Sequence, residues 1–144
     1  MSVTSIFHLA IPITDVGEAK YFYSECLACP VGRENDRAVI FNFYGHQVVA
    51  HVNKETLIPQ KAIYPRHIGQ VFSTKEKWED LVDRAKKTKL KFYQEPKKRF
   101  SGQLTEHWTF FLQDPFYNLL EFKYYSHYEA IFGGQDINEI GDSD

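Results

Sequence analysis

Two cysteines in 144 residues, Cys26 and Cys29, leave no basis for a disulfide-stapled scaffold and are too few for a four-cysteine zinc knuckle. They form a Cys-x-x-Cys pair, but "SECLACP" closes an apolar helical stripe, with Pro30 marking its end. A redox pair opens a helix instead, where the positive helix end lowers the thiol pKa. Packing is the expected role. No apolar run approaches the roughly 20 residues of a membrane helix. No basic start followed by an apolar run is seen at the N-terminus either, so the cytoplasm is the expected compartment. Neither sign of charge dominates: 17 Lys and Arg stand against 19 Asp and Glu, a net charge of −2. That balance gives no pull toward nucleic acid or acidic membranes. The short basic run "EPKKRF" reads as a solvated loop, with a clamp for a substrate anion as the alternative.

Aromatic residues, by contrast, are plentiful, with 12 Phe and 9 Tyr. Rings suit pleated, half-buried surfaces and favour a sheet-rich fold. The chain is one domain's worth, long enough to bury roughly 70% of its unfolded surface.

The sequence has an internal repeat. A strand over about Ser5–Pro12 is followed by Asp15 and Glu18, a capping-box pattern. Ala19, Phe22, Tyr23, Cys26 and Leu27 then recur at helical spacing. "RAVIFNFYG" and "HQVVAHVN" follow as a hairpin around Gly45-His46. The second half repeats the order. A strand over about Arg66–Phe72 meets Ser73 and Glu76, a second capping box, and Trp78, Leu81, Val82 and Ala85 form the helix stripe. A strand candidate at "LKFYQE" and a polar loop come next, and "EHWTFFLQ" and "NLLEFKYY" close the chain around the turn "DPFYN". The expected fold is α+β: two tandem βαβββ modules, about 4–55 and 64–126, forming a cupped mixed sheet with helices outside. They make one domain over 1–132. The acidic segment 133–144, "GGQDINEIGDSD", is expected to be a mobile tail.

Each module spends a core strand position on an imidazole. Strand alternation puts His8 with Ile6 and Ala10, opposite Phe7, Leu9 and Ile11, so the histidine faces away from the helix. His67 takes the matching place in the second module. "VVAHV" and "LLEFK" are taken as matching final strands, with His51 placed opposite Glu121. Three histidines and a carboxylate at repeat-related strand positions point to a divalent metal site, with a hydrogen-bonded structural cluster as the alternative.

The segments "FHLAIPITDVGEAKYFYSECL", "GHQVVAHV", "RHIGQVFST" and "FFLQDPFYNLLEFK" resemble the vicinal oxygen chelate superfamily, which holds glyoxalases, fosfomycin-resistance enzymes, extradiol dioxygenases and bleomycin-resistance proteins. The last segment is similar to the family's F-x-D-P-x-G-x-x-x-E-[FIL] signature. Tyr117 or Asn118 stands where glycine is usual, and Ala28 replaces a usual helix-ending glycine. The resemblance implies His8, His67 and Glu121 as ligands of one divalent ion: Fe, Mn, Zn, Ni or Co. His51 falls to an additional ligand, one that leaves as substrate enters, a base beside the ion, or no role.

The resemblance implies an enzyme that binds a small oxygenated substrate through adjacent oxygens, first of all a dioxygenase of the extradiol type. A glyoxalase-like isomerase or lyase is the second reading, and a metal-free sequestering protein is a third of another class. Phe43, Tyr44, Trp108, Phe110 and Tyr124 are candidate cavity-wall residues. Arg99 is a candidate carboxylate grip and His107 a candidate base. A homodimer is implied, with sites completed across its interface; no nucleic acid or membrane partner is expected.

Overall fold

The computed structural model describes residues 4–138 and 140–141. The first module runs β1 (His8–Ile13), α1 (Val16–Lys20), β2 (Val31–Glu34), β3 (Ala38–Phe43) and β4 (His46–Val52). The second runs β5 (Ile68–Val71), α2 (Lys75–Lys87), β6 (Phe92–Arg99), β7 (His107–Gln113) and β8 (Leu119–Tyr125). Each βαβββ unit makes a four-stranded mixed sheet with one connectivity: β1-β4-β3-β2 in the first, β5-β8-β7-β6 in the second. The parallel pairs are β1 with β4 and β5 with β8. The α+β class and tandem plan are as expected, with the cup divided into two sheets.

Period-two alternation decides what each sheet face does. In β1, Ile11 and Ile13 are buried while His8, Ala10 and Pro12 are exposed. In β7 and β8, Phe110, Leu112, Leu120 and Phe122 are fully buried on the helix side. These residues join Phe22, Tyr23, Phe41 and Trp78 in one core shared by both modules. Trp78 locks its helix to the sheet by donating its indole hydrogen to the Phe122 carbonyl at 2.9 Å.

Several local features differ from the sequence reading. The first helix keeps its α-form only to Lys20; Tyr21–Cys26 is π-helical, with the amide of Leu27 reaching the carbonyl of Phe22. Asp15 caps that helix, its Oδ2 accepting from the Glu18 amide at 2.8 Å. The second cap is Thr74 rather than Ser73, its hydroxyl accepting from the Lys77 amide. This shift brings the two halves into full register, since His8 lies seven residues before Asp15 and His67 seven before Thr74. The first hairpin turns at Tyr44-Gly45, both at positive φ (52° and 94°), one residue earlier than expected. Strand β6 runs through to Arg99, so the basic run is strand and not loop. β2, the short exposed strand "VGRE", has no hydrophobic signal in the sequence.

Asp114 ties the modules together. Its carboxylate is 3% exposed and accepts from the Tyr23 hydroxyl at 2.6 Å and from the Asn118 side-chain amide at 2.7 Å. The amides of Phe116 and Asn118 bond its other oxygen, and Asn118 also donates to the Pro12 carbonyl at the end of β1. The turn leading into β8 is thereby pinned to the first module. Among the described residues, no helix is long and apolar enough to cross a membrane.

Candidate functional site

The second sheet carries a compact polar centre on the face turned away from its helix. His67, just ahead of β5, sets Nε2 3.1 Å from Oε1 of Glu121 in β8. Its other nitrogen, Nδ1, lies 2.7 Å from the Ile63 carbonyl oxygen. A carbonyl can only accept, so Nδ1 carries the hydrogen and Nε2 is directed at the carboxylate. The second carboxylate oxygen accepts from the Thr109 hydroxyl at 2.6 Å, and the Lys123 ammonium stands 4.0 Å from Oε1. Phe111 closes the imidazole edge-on at 5.0 Å between ring centres.

Each group shifts the other's charge. Burial pushes the Glu121 carboxyl upward, but His67, Lys123 and Thr109 outweigh it and hold the pKa below its ordinary value. The Glu121 hydrogen bond raises the His67 pKa, against the opposing effect of burial. Gly69 makes this approach of strands possible. A Cβ there would lie 1.6 Å from the backbone oxygen of Glu121, so no other residue fits without moving the carboxylate's own strand.

The donor chemistry fits a divalent cation. An imidazole fixed through Nδ1 by a backbone carbonyl and a carboxylate oriented by a hydroxyl are how proteins prepare metal ligands, the hydrogen between Nε2 and Glu121 being the one a cation would displace. At 3.1 Å the two donor atoms are close enough to share one ion.

Of the four ligands considered from sequence, the structure brings these two together. His8 stands exposed on β1 of the other sheet, Nδ1 bonded to the Gln47 side-chain oxygen at 2.7 Å, which leaves Nε2 outward. His51 is exposed on β4 and pairs with Pro12, four residues along the strand from the level of His8. That is about 13 Å at strand rise. Among the described residues, no group of three or more His, Cys, Asp or Glu side chains is placed to hold a metal.

The register also corrects the repeat alignment. Ala10 and Gly69 are equivalent, both two residues past the repeated histidine; Ala10 pairs with Val49, and Gly69 pairs with Glu121. Val49, not His51, therefore occupies the place of Glu121 in the first module. His51, paired with Pro12, corresponds to Lys123, paired with Val71.

Arg99, His107 and Tyr125 form one row across β6, β7 and β8, on the same face as Glu121. Arg99 is 7% exposed and His107 3%. Of the aromatic wall candidates, Phe43 lines a cavity of about 470 Å³ together with His67, and the others lie elsewhere. Trp108, Phe110 and Tyr124 are each one residue out of step with this face and pack into the helix side, Trp108 against Trp78. Phe43 is buried beside Phe122, and Tyr44 donates its hydroxyl hydrogen to the Leu27 carbonyl while packing on Phe72 and Phe122. The aromatics on the face of Glu121 are Phe111 and Tyr125. Counting by twos from Glu121 along β8, and across to Thr109 in β7, would have found them. Beside His67 the two modules leave a cavity of about 360 Å³ lined by the face of β1, Arg66 and Tyr117.

Comparison with known proteins agrees with this architecture. The family model of the Glyoxalase/Bleomycin resistance protein/Dioxygenase superfamily matches residues 5–122. A glyoxalase/bleomycin resistance protein/dioxygenase from Alicyclobacillus acidocaldarius is 39% identical, covers 90% of this chain and 97% of its own, and superposes with a TM-score of 0.84. The fosfomycin resistance protein FosX from Listeria monocytogenes shares the fold at 13% identity, covering 90% of this chain and 99% of its own, with a TM-score of 0.66. Lactoylglutathione lyase from Agrobacterium tumefaciens does so at 14% identity, covering 85% and 95%, with a TM-score of 0.64. No curated protein matches. With nearly all of both modules matched and the repeat visible in register and connectivity, the chain belongs to the Glyoxalase/Bleomycin resistance protein/Dioxygenase superfamily.

Proposed function

We propose that this protein is a divalent-metal enzyme acting on a small substrate that presents two adjacent oxygens, with a complete site formed only in a homodimer. The observation that carries the reading is the His67–Glu121 pair, with Nδ1 of His67 given to a backbone carbonyl and Nε2 facing the carboxylate. The third ligand is His8 of the partner subunit. His8 holds the repeat-equivalent place of His67, stands in solvent, and has its Nδ1 tied to Gln47. The exposed Ile6 and Phe7 beside it, 56% and 62% accessible, suit a surface that another chain covers.

A bound ion would draw electron density from substrate oxygens and steady the negative charge that develops on them. The chain's own groups do the rest. Thr109 keeps the carboxylate in one orientation, Lys123 adds positive charge beside it, and Phe111 excludes water from one edge of His67.

Val49 at the fourth position leaves two histidines and one carboxylate. This set favours oxygen-type chemistry at Fe or Mn, as in a dioxygenase, over a four-ligand glyoxalase-like isomerase or lyase. The metal-free sequestering reading follows if the protein stays monomeric, since one chain gathers only two of the donors.

Metal analysis of protein purified without added ions tests the centre. Wild type retains about one ion per chain, while His8→Ala, His67→Ala and Glu121→Gln each lose it and His51→Ala keeps it. Mixing His8→Ala with Glu121→Gln restores part of the metal, because one intact site forms across each mixed dimer. Retention by both single variants, or no recovery on mixing, overturns the shared site. Oxygen uptake with a panel of catechols under Fe(II) separates the dioxygenase reading from the lyase one.

A further inference from the structure

The face that carries Glu121 continues past Lys123 into a cavity of about 500 Å³, roofed by the segment after the last strand. Thr105, His107, Lys123 and Tyr125 line one side, and Ile131 and Phe132 line the other. His107 is held between the rings of Phe100 and Tyr125, at 5.9 and 5.1 Å between centres. Its Nδ1 lies 2.9 Å from the Thr105 carbonyl oxygen, so that nitrogen carries the hydrogen. Burial, with Lys123 and Arg99 nearby, outweighs the Thr105 hydrogen bond and the Glu121 charge and holds the imidazole pKa below its ordinary value, which favours the uncharged ring. Nε2 is then a bare acceptor, and among the described residues neither it nor the Thr105 hydroxyl has a hydrogen-bond partner.

A buried acceptor of this kind is costly until something donates to it. The donor has to bring its own hydrogen. A carboxylate would set lone pairs against lone pairs, whereas a hydroxyl pairs with Nε2 directly. The ammonium of Lys123, 5.1 Å from the Tyr125 ring centre, adds positive charge for an oxygen whose hydrogen is being drawn away.

We propose that this cavity receives a hydroxyl-bearing, ring-sized end of the substrate, with the hydroxyl donating to Nε2 of His107 and Thr105 bonding the same oxygen. The inference rests on the reading of this sheet face as the substrate site, but it requires no metal. That makes it a specificity pocket selecting neutral hydroxyl donors over carboxylates.

The test uses the full chain stripped of metal with EDTA, and phenol as the probe, with toluene and benzoate as size-matched controls. Histidine nitrogen NMR follows His107. Phenol is expected to bind about tenfold more tightly than toluene, the worth of one buried hydrogen bond. It is also expected to move the bare Nε2 resonance upfield, while benzoate leaves that resonance in place. In His107→Asn the side-chain amide still donates to the Thr105 carbonyl but Nε2 is gone, so the preference for phenol over toluene disappears. Equal binding of the three probes, an unmoved Nε2 resonance, or unchanged preference in His107→Asn overturns the assignment. So does failure of phenol to bind at all, which would leave the cavity to water. Because the protein is metal-free, loss of the metal reading leaves this result intact. A normal metal content with no phenol binding sinks the pocket alone.

Discussion

Thr109→Val is the sharpest probe of the polar centre, because it keeps the side chain's shape and deletes one hydroxyl. Thr109 is fully buried, and its hydroxyl donates to a carboxylate that is only 7% exposed. Hydrogen bonds to charged groups contribute about 1.5–3 kcal/mol net, so the variant loses about 2 kcal/mol. For a chain of this length each kcal/mol is worth roughly 3–4 °C, giving a fall in Tm of about 6–8 °C at neutral pH. The effect is pH-dependent with a definite sign. Glu121 has a folded-state pKa below its ordinary value, so its contribution is full above the unfolded carboxylate value and fades as pH falls through the folded one. The gap between wild type and variant narrows below about pH 4. Circular-dichroism melts at one fixed protein concentration, in EDTA, read this directly. A variant as stable as wild type at pH 7, or a deficit that ignores pH, would show that Thr109 does not support the carboxylate.

Other substitutions test neighbouring claims. Gly69→Ala drives a methyl into the backbone of Glu121, and the chain either fails to accumulate as soluble protein or melts lower than Thr109→Val; a melt equal to wild type refutes the close approach. Ala28 and Tyr117 hold positive φ of 62° and 69°, where an L-residue is strained by about 1–2 kcal/mol. Glycine at each relieves that strain, less about 0.5–1 kcal/mol of backbone freedom, so Ala28→Gly and Tyr117→Gly are expected to melt a few degrees higher. Val49→Glu restores a carboxylate at the repeat-equivalent of Glu121, and metal loss to a competing chelator is expected to slow roughly tenfold. Unchanged release would mean that Val49 faces another environment in the assembled site.

The legible part of this molecule was its periodic part. Alternation in β1 put His8 and Leu9 on opposite faces, and the exposed and buried residues follow that pattern. Both helices start where side-chain caps stand, though adjacent Ser73 and Thr74 look alike in sequence and only the backbone chooses Thr74. Strand register was less legible. Slipping "VVAHV" along its partner costs nothing on paper, yet it moved His51 into a place that hydrogen bonding gives to Val49. The aromatic residues misled for a related reason. Trp108 and Phe111 are both large rings on β7, and only their parity with Glu121 separates the helix side of the sheet from the face of the carboxylate. The π-helical stretch at Tyr21–Cys26 had no sequence signal, because its stripe also satisfies an ordinary helical period.

Val49 opposite Ala10, where the other half has Glu121 opposite Gly69, gives the duplication a direction. Two identical halves would form a chamber that a ligand could enter equally well either way round. Here one sheet offers a carboxylate at that position and the other a branched hydrocarbon, so the two faces are chemically unlike and cannot stand in for one another.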